Sequence, residues 1–352
     1  MNKKSKIHLT RKQFLQLSAA GTAGLLAGCQ TAPADTAIPA TPTADATTAA
    51  ARRKEVLRFY PDATSRVVHT HGEGVWEGDV LSPVVLRRML DASITRQTGI
   101  ADAREAWAAL FSPDDRIAIK VNAFHNSLIW THVPLVTAVT DSLQDAGIPA
   151  DRITLTDLTT AELETAGFTI NRDSAGIRCY GADTNYKEYV TINDAAMQLN
   201  PVLADCTAII NMPVLKAHML TGITFAMKNH FGSVSLPRVM HYTAWDDMAA
   251  LNALPQIKDR TRLIIGDILE ANLQYFDSFP YWVADYRGDS ILMGFDPVAH
   301  DKIGLDILTR LLAEKGENVS LLDAAERCLA GGAARGLGTN LPENMELMES
   351  TV

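Results

Sequence analysis

The chain has 352 residues, of which 47% are apolar and 21% charged, with a mean hydropathy of +0.00. These are the proportions of a globular protein, and they exclude a disordered chain, a collagen-like repeat and a multi-span membrane protein. The formal charge is −9, but the first 28 residues hold five cations and no acid, so the remainder carries −14 and no nucleic-acid partner is expected.

Residues 1–28 read as an export signal. Lys3, Lys4 and Lys6 lead into Thr10-Arg11-Lys12-Gln13-Phe14-Leu15, and a mildly apolar run follows over residues 15–27, interrupted by Gly21 and Gly24. That run is too short and too rich in glycine for a stable membrane-spanning helix. The order Thr-Arg-Lys-x-Phe-Leu resembles the twin-arginine signal, with Lys12 in place of the second arginine, which keeps the ordinary secretory route as the alternative. Leu26-Ala27-Gly28-Cys29 resembles a bacterial lipobox, which implies lipidation at Cys29 and anchoring of an exported protein to a bacterial membrane, periplasmic or at the cell surface. The export machinery and the membrane are therefore expected partners. Residues 29–51, nearly all Ala, Thr, Pro and Asp, form a flexible tether. A single domain is expected over residues 52–345, with a tail at 346–352.

Within the domain, His69 and His71 follow the strand-like Arg66-Val67-Val68. Alternate residues of a strand share a face, so the two rings are placed to grip a metal or an anion together. Residues 116–122 (RIAIKVN) form a buried strand. Helical spacing then runs from His132 to Ala146 and stops at Gly147. Residues 153–157 (ITLTD) make the next strand, and Thr159-x-x-Glu162 has the form of a capping box opening a short helix that ends at Gly167. Strands are also expected at 207–211, 262–267 and 290–294, and helices at 243–253, 298–314 and 320–329.

This alternation predicts an α/β fold with a mainly parallel, helix-covered sheet and a ligand crevice at the carboxyl ends of the strands. Asn122, Asp157, Asn211 and Asp267 stand at four such ends. No dinucleotide fingerprint, P-loop or G-x-S-x-G motif occurs. Cys179, Cys206 and Cys328 contain no C-x-x-C, so an iron–sulfur cluster is not expected. They read as core residues, with one disulfide as the alternative.

One stretch is dense in donors: Lys216, His218, Thr224, Lys228, Asn229 and His230 fall within fifteen positions, interleaved with Ile223, Phe225, Ala226, Met227 and Phe231. Fixed positive charge and amide donors suit an anionic group. If residues 221–230 are helical, Thr224 and Lys228 lie one turn apart.

Three patterns resemble domain-of-unknown-function family 362 over about residues 54–340. They are Ile119-Lys120-Val121-Asn122, the Pro213…Lys216-x-His218…Thr221-Gly222-x-Thr224-x-x-x-Lys228-Asn229-x-Phe231-Gly232 block, and Asp296-Pro297-Val298-Ala299-His300-Asp301 followed by Gly336-Leu337-Gly338. The order His218-x-x-x-Gly222-x-Thr224-x-x-x-Lys228 is also similar to a pattern of the nickel-pincer lactate racemases, in which the lysine holds the cofactor. The residues and these resemblances together imply an enzyme acting on a small carboxylate or phosphate, with Lys216, His218, Lys228 and Asn229 as catalytic candidates. Lys120, Asn122, Thr224, His230, Asp157, Asp267 and Asp296 are the binding candidates. The cofactor stays open, with a divalent metal as its candidate class, and a surface-anchored binding protein for an anion is the alternative.

Overall fold

The computed structural model describes residues 64–352, apart from His125, Ser174, Tyr242 and residues 275–279. The expected signal, the tether and Cys29 lie outside the described residues.

Ten strands form one mixed sheet: β1 (Ser65–His71), β2 (Ile117–Lys120), β3 (Ile153–Thr156), β4 (Arg178–Cys179), β5 (Ala208–Asn211), β6 (Val214–His218), β7 (Gly222–Thr224), β8 (Thr261–Asn272), β9 (Tyr286–Gly294) and β10 (Met345–Thr351). The spatial order is β10-β1-β9-β8-β5-β2-β3-β4, and β6 branches off β8 to pair with β7. Pairing is parallel from β8 through β5, β2 and β3 to β4, and antiparallel where β9 lies between β8 and β1. The fold is α/β.

Seven helices matter here: α1 (Pro83–Thr98), α2 (Val133–Asp145), α3 (Thr160–Thr165), α4 (Ala226–Asn229), α5 (Ala244–Asn252), α6 (Pro297–Glu314) and α7 (Asp323–Ala334). Alternate residues of the central strands feed two separate cores. Ile117, Ile119, Leu263 and Ile265 face the layer that contains α1 and α2, whereas Ala118, Ile209 and Ile268 face the layer of α6 and α7. A sheet covered on both faces explains why its strands read as continuous apolar runs.

Two expectations are corrected. Residues 346–351 are not a tail: they belong to β10, which pairs in parallel with all seven residues of β1. A polar-looking segment became a strand because β1 presented an open edge. Residues 221–230 are not one helix either. Lys216 pairs with Thr224 and His218 with Gly222 across a β6–β7 hairpin, and only residues 226–229 turn into a helix. Gly222 has φ +71, and a Cβ there would lie 2.7 Å from backbone atoms of Leu322 and Ala325, so the hairpin packs against the start of α7 only with glycine. Cys179, Cys206 and Cys328 are free and buried. Among the described residues no helix is long and apolar enough to cross a membrane.

Candidate active site

The site begins where parallel strands stop. Lys120 is the last residue of β2, and β3 runs directly into Asp157. Lys120 Nζ donates to Asp157 Oδ1 at 2.6 Å and to the Val121 carbonyl at 2.7 Å, with both side chains buried. Asp157 Oδ2 accepts from the Ala123 amide at 2.6 Å and Oδ1 from that of Leu158 at 2.8 Å, so its hydrogen-bonding capacity is largely spent. Burial pushes the Asp157 carboxyl up, while Lys120 opposes that shift. Gly232 lets a second segment close over this pair, for a Cβ there would stand 2.3 Å from Asp157 Oδ1.

The hairpin supplies the next three groups. Lys216 and His218 are two apart on β6, and Thr224 lies opposite Lys216 on β7, so all three share one face. Lys216 Nζ donates to Asn122 Oδ1 at 2.7 Å, the Ile129 carbonyl at 2.7 Å and Ser127 Oγ at 3.1 Å. Asn122 donates in turn to Asn229 Oδ1 at 3.2 Å, and Asn229 to Asn211 Oδ1 at 2.7 Å. This amide relay joins the ends of β2 and β5 to α4. The α4 start is held by Asp301, whose carboxylate accepts from the Ala226 and Met227 amides at 2.6 and 3.0 Å.

Lys228, on α4, donates to His241 Nε2 at 3.2 Å and lies 4.2 Å above the centre of the Phe231 ring. His241 Nδ1 in turn donates to the Pro237 carbonyl at 3.2 Å. His218 Nδ1 accepts from the amides of Leu220 and Thr221 at 3.0 and 3.3 Å, which puts its proton on Nε2. The His218 ring stacks on Trp282, with ring centres 5.6 Å apart.

Lys216, His218, Thr224, Lys228 and His241 line one cavity of about 120 Å³ together with the Lys120–Asp157 pair, Asn122 and Asn229, and Phe124, Leu158, Phe231, Pro237 and Trp282 complete its wall. That is somewhat below the ~150 Å³ of a cavity that houses benzene, so the occupant is compact. Burial pushes Lys216 down to about 7, assisted by the neighbouring Lys228 charge, and burial likewise pushes Lys228 down to about 7. Burial holds His218 well below its ordinary value and His241 at about 3, so both rings are neutral. The surroundings separate the two amines. Three oxygen acceptors favour the ammonium form of Lys216, whereas Lys228 has one imidazole nitrogen. Among the described residues neither lysine has a carboxylate partner within ion-pair distance. The Thr224 hydroxyl is buried, lines the cavity and has no hydrogen-bond partner among the described residues.

The cavity therefore gathers Lys120, Asn122, Asp157, Lys216, His218, Thr224, Lys228 and Asn229. Three expected residues stand elsewhere. Asp296 caps α6, accepting from the Val298 and Ala299 amides at 2.8 and 2.9 Å and tying down Thr339. Asp267 accepts from His132 Nδ1 at 2.8 Å and from the His132 amide at 2.9 Å. His230 is bonded to Ser233 Oγ at 3.0 Å and lines a separate cavity of about 10 Å³. A polar residue at a strand end is often a cap, and that role took Asp296. His69 and His71 lie on β1 and do not line the pocket.

Sequence reading missed His241, Trp282, Phe124 and the pocket role of Glu162. The first three stand in no motif. Glu162 carried a signal, since Thr159 Oγ1 accepts from its amide at 3.2 Å as the expected capping box requires, but its burial against Asp157 is tertiary. A divalent metal does not suit this donor set. Two amines face the cavity, Asp157 is committed to Lys120, and both His241 nitrogens are engaged.

Fold and site together define an α/β protein with a lysine-lined pocket at the carboxyl ends of its parallel strands. The family model described as "Domain of unknown function (DUF362)" matches residues 117–306, more than half of the chain, and the chain belongs to that family. Among solved structures it is similar to a protein from Thermotoga maritima at 11% identity and TM-score 0.39, over 74% of this chain and 60% of that one. It is also similar to the lactate racemase apoprotein from Thermoanaerobacterium thermosaccharolyticum at 8% identity and TM-score 0.33, over 58% of this chain and 50% of that one. The chain thus spans less than two thirds of either structure's length. No curated protein matches it.

Proposed function

We propose that this protein is an exported enzyme, lipid-anchored through Cys29, that binds a compact carboxylate or phosphate and moves a proton with Lys228. The observation that carries the reading is the pair of buried lysines facing one cavity without a carboxylate partner among the described residues. Lys216, whose three N–H donors are spent on three oxygens, attracts the anion by its charge, and the unpartnered Thr224 hydroxyl supplies the donor beside it. Lys228, with its amine near neutrality, is the acid or base. His241 orients the Lys228 amine, and the aromatic wall limits water.

The test is proton exchange in D₂O, followed by NMR over a panel of short 2-hydroxy and 2-oxo carboxylates and their phosphate esters. Wild type exchanges a carbon-bound proton of one class. The rate rises with pH as Lys228 loses its proton near 7 and falls when Lys216 loses its own. Lys228→Ala and Lys228→Arg both abolish exchange, because guanidinium stays charged, while Lys216→Met weakens binding. Saturable binding without exchange at any pH would leave anion capture, the alternative reading. For the anchor, Cys29→Ser should move the protein from the membrane to the soluble fraction, and a variant that stays with the membrane removes the lipidation.

A further inference from the structure

A second group of potential ligands lies outside the pocket. His69 and His71 project from the same face of β1, with ring centres 4.3 Å apart. Glu349 of β10 is the direct parallel partner of His69, which sets its carboxylate beside them. Taking one ligand atom from each residue, the three atoms all lie within 4.8 Å of one another. His69 Nδ1 stands 3.1 Å from Glu349 Oε2. That is close to the ~3.3 Å edge of a tetrahedron with bonds of about 2.0–2.1 Å to zinc.

The surroundings match a metal's outer shell. Ser290 of β9, itself buried, lies 3.0 Å from His69 Nε2. A serine hydroxyl both donates and accepts. It donates to Nε2 while Nδ1–H points at Glu349, and accepts from Nε2–H once Nδ1 takes a metal, so the ring changes tautomer without leaving its place. Arg310, the cation that bears on His69, directs its guanidinium to Glu314 at 3.2 Å.

We infer that His69, His71 and Glu349 form a three-ligand site for a zinc-class divalent cation, which clips the C-terminal strand β10 to β1 and leaves a coordination position open to solvent. Two imidazoles and one carboxylate suit zinc or cobalt rather than calcium or magnesium, which take oxygen ligands. The inference is independent of the lysine pocket, since none of the three residues lines it.

The test uses full-length, tag-free protein stripped with EDTA. Zn²⁺ should bind at one equivalent per chain by calorimetry, and Co²⁺ should give the visible bands of tetrahedral coordination. Glu349→Gln and His71→Asn, both outside the buried core, should each weaken binding by roughly 100-fold or more, since even outer-shell partners of a metal are worth about 10–100-fold. Ser290→Ala should weaken it within that outer-shell range while keeping the cobalt bands. Zn²⁺ should raise the melting temperature of wild type and leave Glu349→Gln unmoved. Absence of stoichiometric binding, six-coordinate cobalt spectra, or an equal melting shift in wild type and Glu349→Gln would each overturn the site.

Discussion

Replacing Lys228 by methionine should stabilise the fold, by an amount that falls as pH rises. The residue is 8% exposed, and its amine is held at about 7 against 10.5 in the unfolded chain. Between those values the unfolded state binds the extra proton. The penalty of the buried lysine is therefore complete below about 7 and vanishes as pH climbs toward 10.5. Linkage over that interval gives about 4 kcal/mol at pH 7 and about 2 kcal/mol at pH 9. Methionine fills similar space but loses the bond to His241, worth about 1 kcal/mol at every pH. The net gain is then about 3 kcal/mol at pH 7 and about 1 kcal/mol at pH 9. Loss of the Lys228 charge also lets Lys216 rise toward its ordinary value, which adds to the gain. Urea unfolding of both proteins from pH 6.5 to 9.5 reads the difference directly and cancels every shared group whose pKa the substitution leaves unchanged, which excludes Lys216. A pH-independent difference, or a variant less stable than wild type at pH 7, would refute the desolvated lysine. The stabilised variant should also have lost proton exchange, the trade expected when a strained group is kept for function.

Gly232→Ala should separate Lys120 from Asp157, because the new methyl meets Asp157 Oδ1 at 2.3 Å. A loss of about 1–3 kcal/mol in urea unfolding and weaker anion binding are expected together, and an unaffected variant would mean that the segment is free to move. Asp115→Ala should cost about 3–5 kcal/mol, since it strands the buried Arg262 guanidinium that Asp115 holds at 2.6 and 2.9 Å. The apolar pair Asp115→Leu with Arg262→Met should recover most of that loss in the same melts. His132 is held between Asp267 and Glu270; burial opposes its charge, yet the two carboxylates raise it to about 10. Its stabilisation is complete below about 6.5 and is lost as pH rises through 10, so its ring signals should not titrate by NMR between pH 5 and 8, and a midpoint in that range would refute the pairing.

Local chemistry determined much of this protein. Apolar runs ending in polar residues marked β2, β3, β5 and β8, and Gly147, at φ +96, ended the expected helix over α2. The crowding of lysine and amide between Lys216 and Asn229 was legible for the same reason, because buried polar side chains interleaved with apolar ones need partners of their own. The backbone shape of that block was not legible. Its spacing fits a helix, but residues 214–224 pair as a hairpin against β8, an alignment set by residues some fifty positions away that no local pattern encodes. Nor could the sequence distinguish Asp157, which meets Lys120 in the pocket, from Asp296, which caps a helix. Asp157 directly follows β3 and Asp296 lies two residues beyond β9, and because β9 runs antiparallel to β8 its end falls at the sheet edge away from the pocket, a direction that only the assembled sheet decides. His241 and Trp282 came from outside every motif, brought in by loops that close over the strand ends. Glu349 lay in an apparent tail, yet the open edge of β1 gave it a register and set it beside His69. Charge, periodicity and caps act over a few residues and can be read in order. Register, burial and pKa arise between segments far apart in the chain, so they belong to the assembled sheet alone.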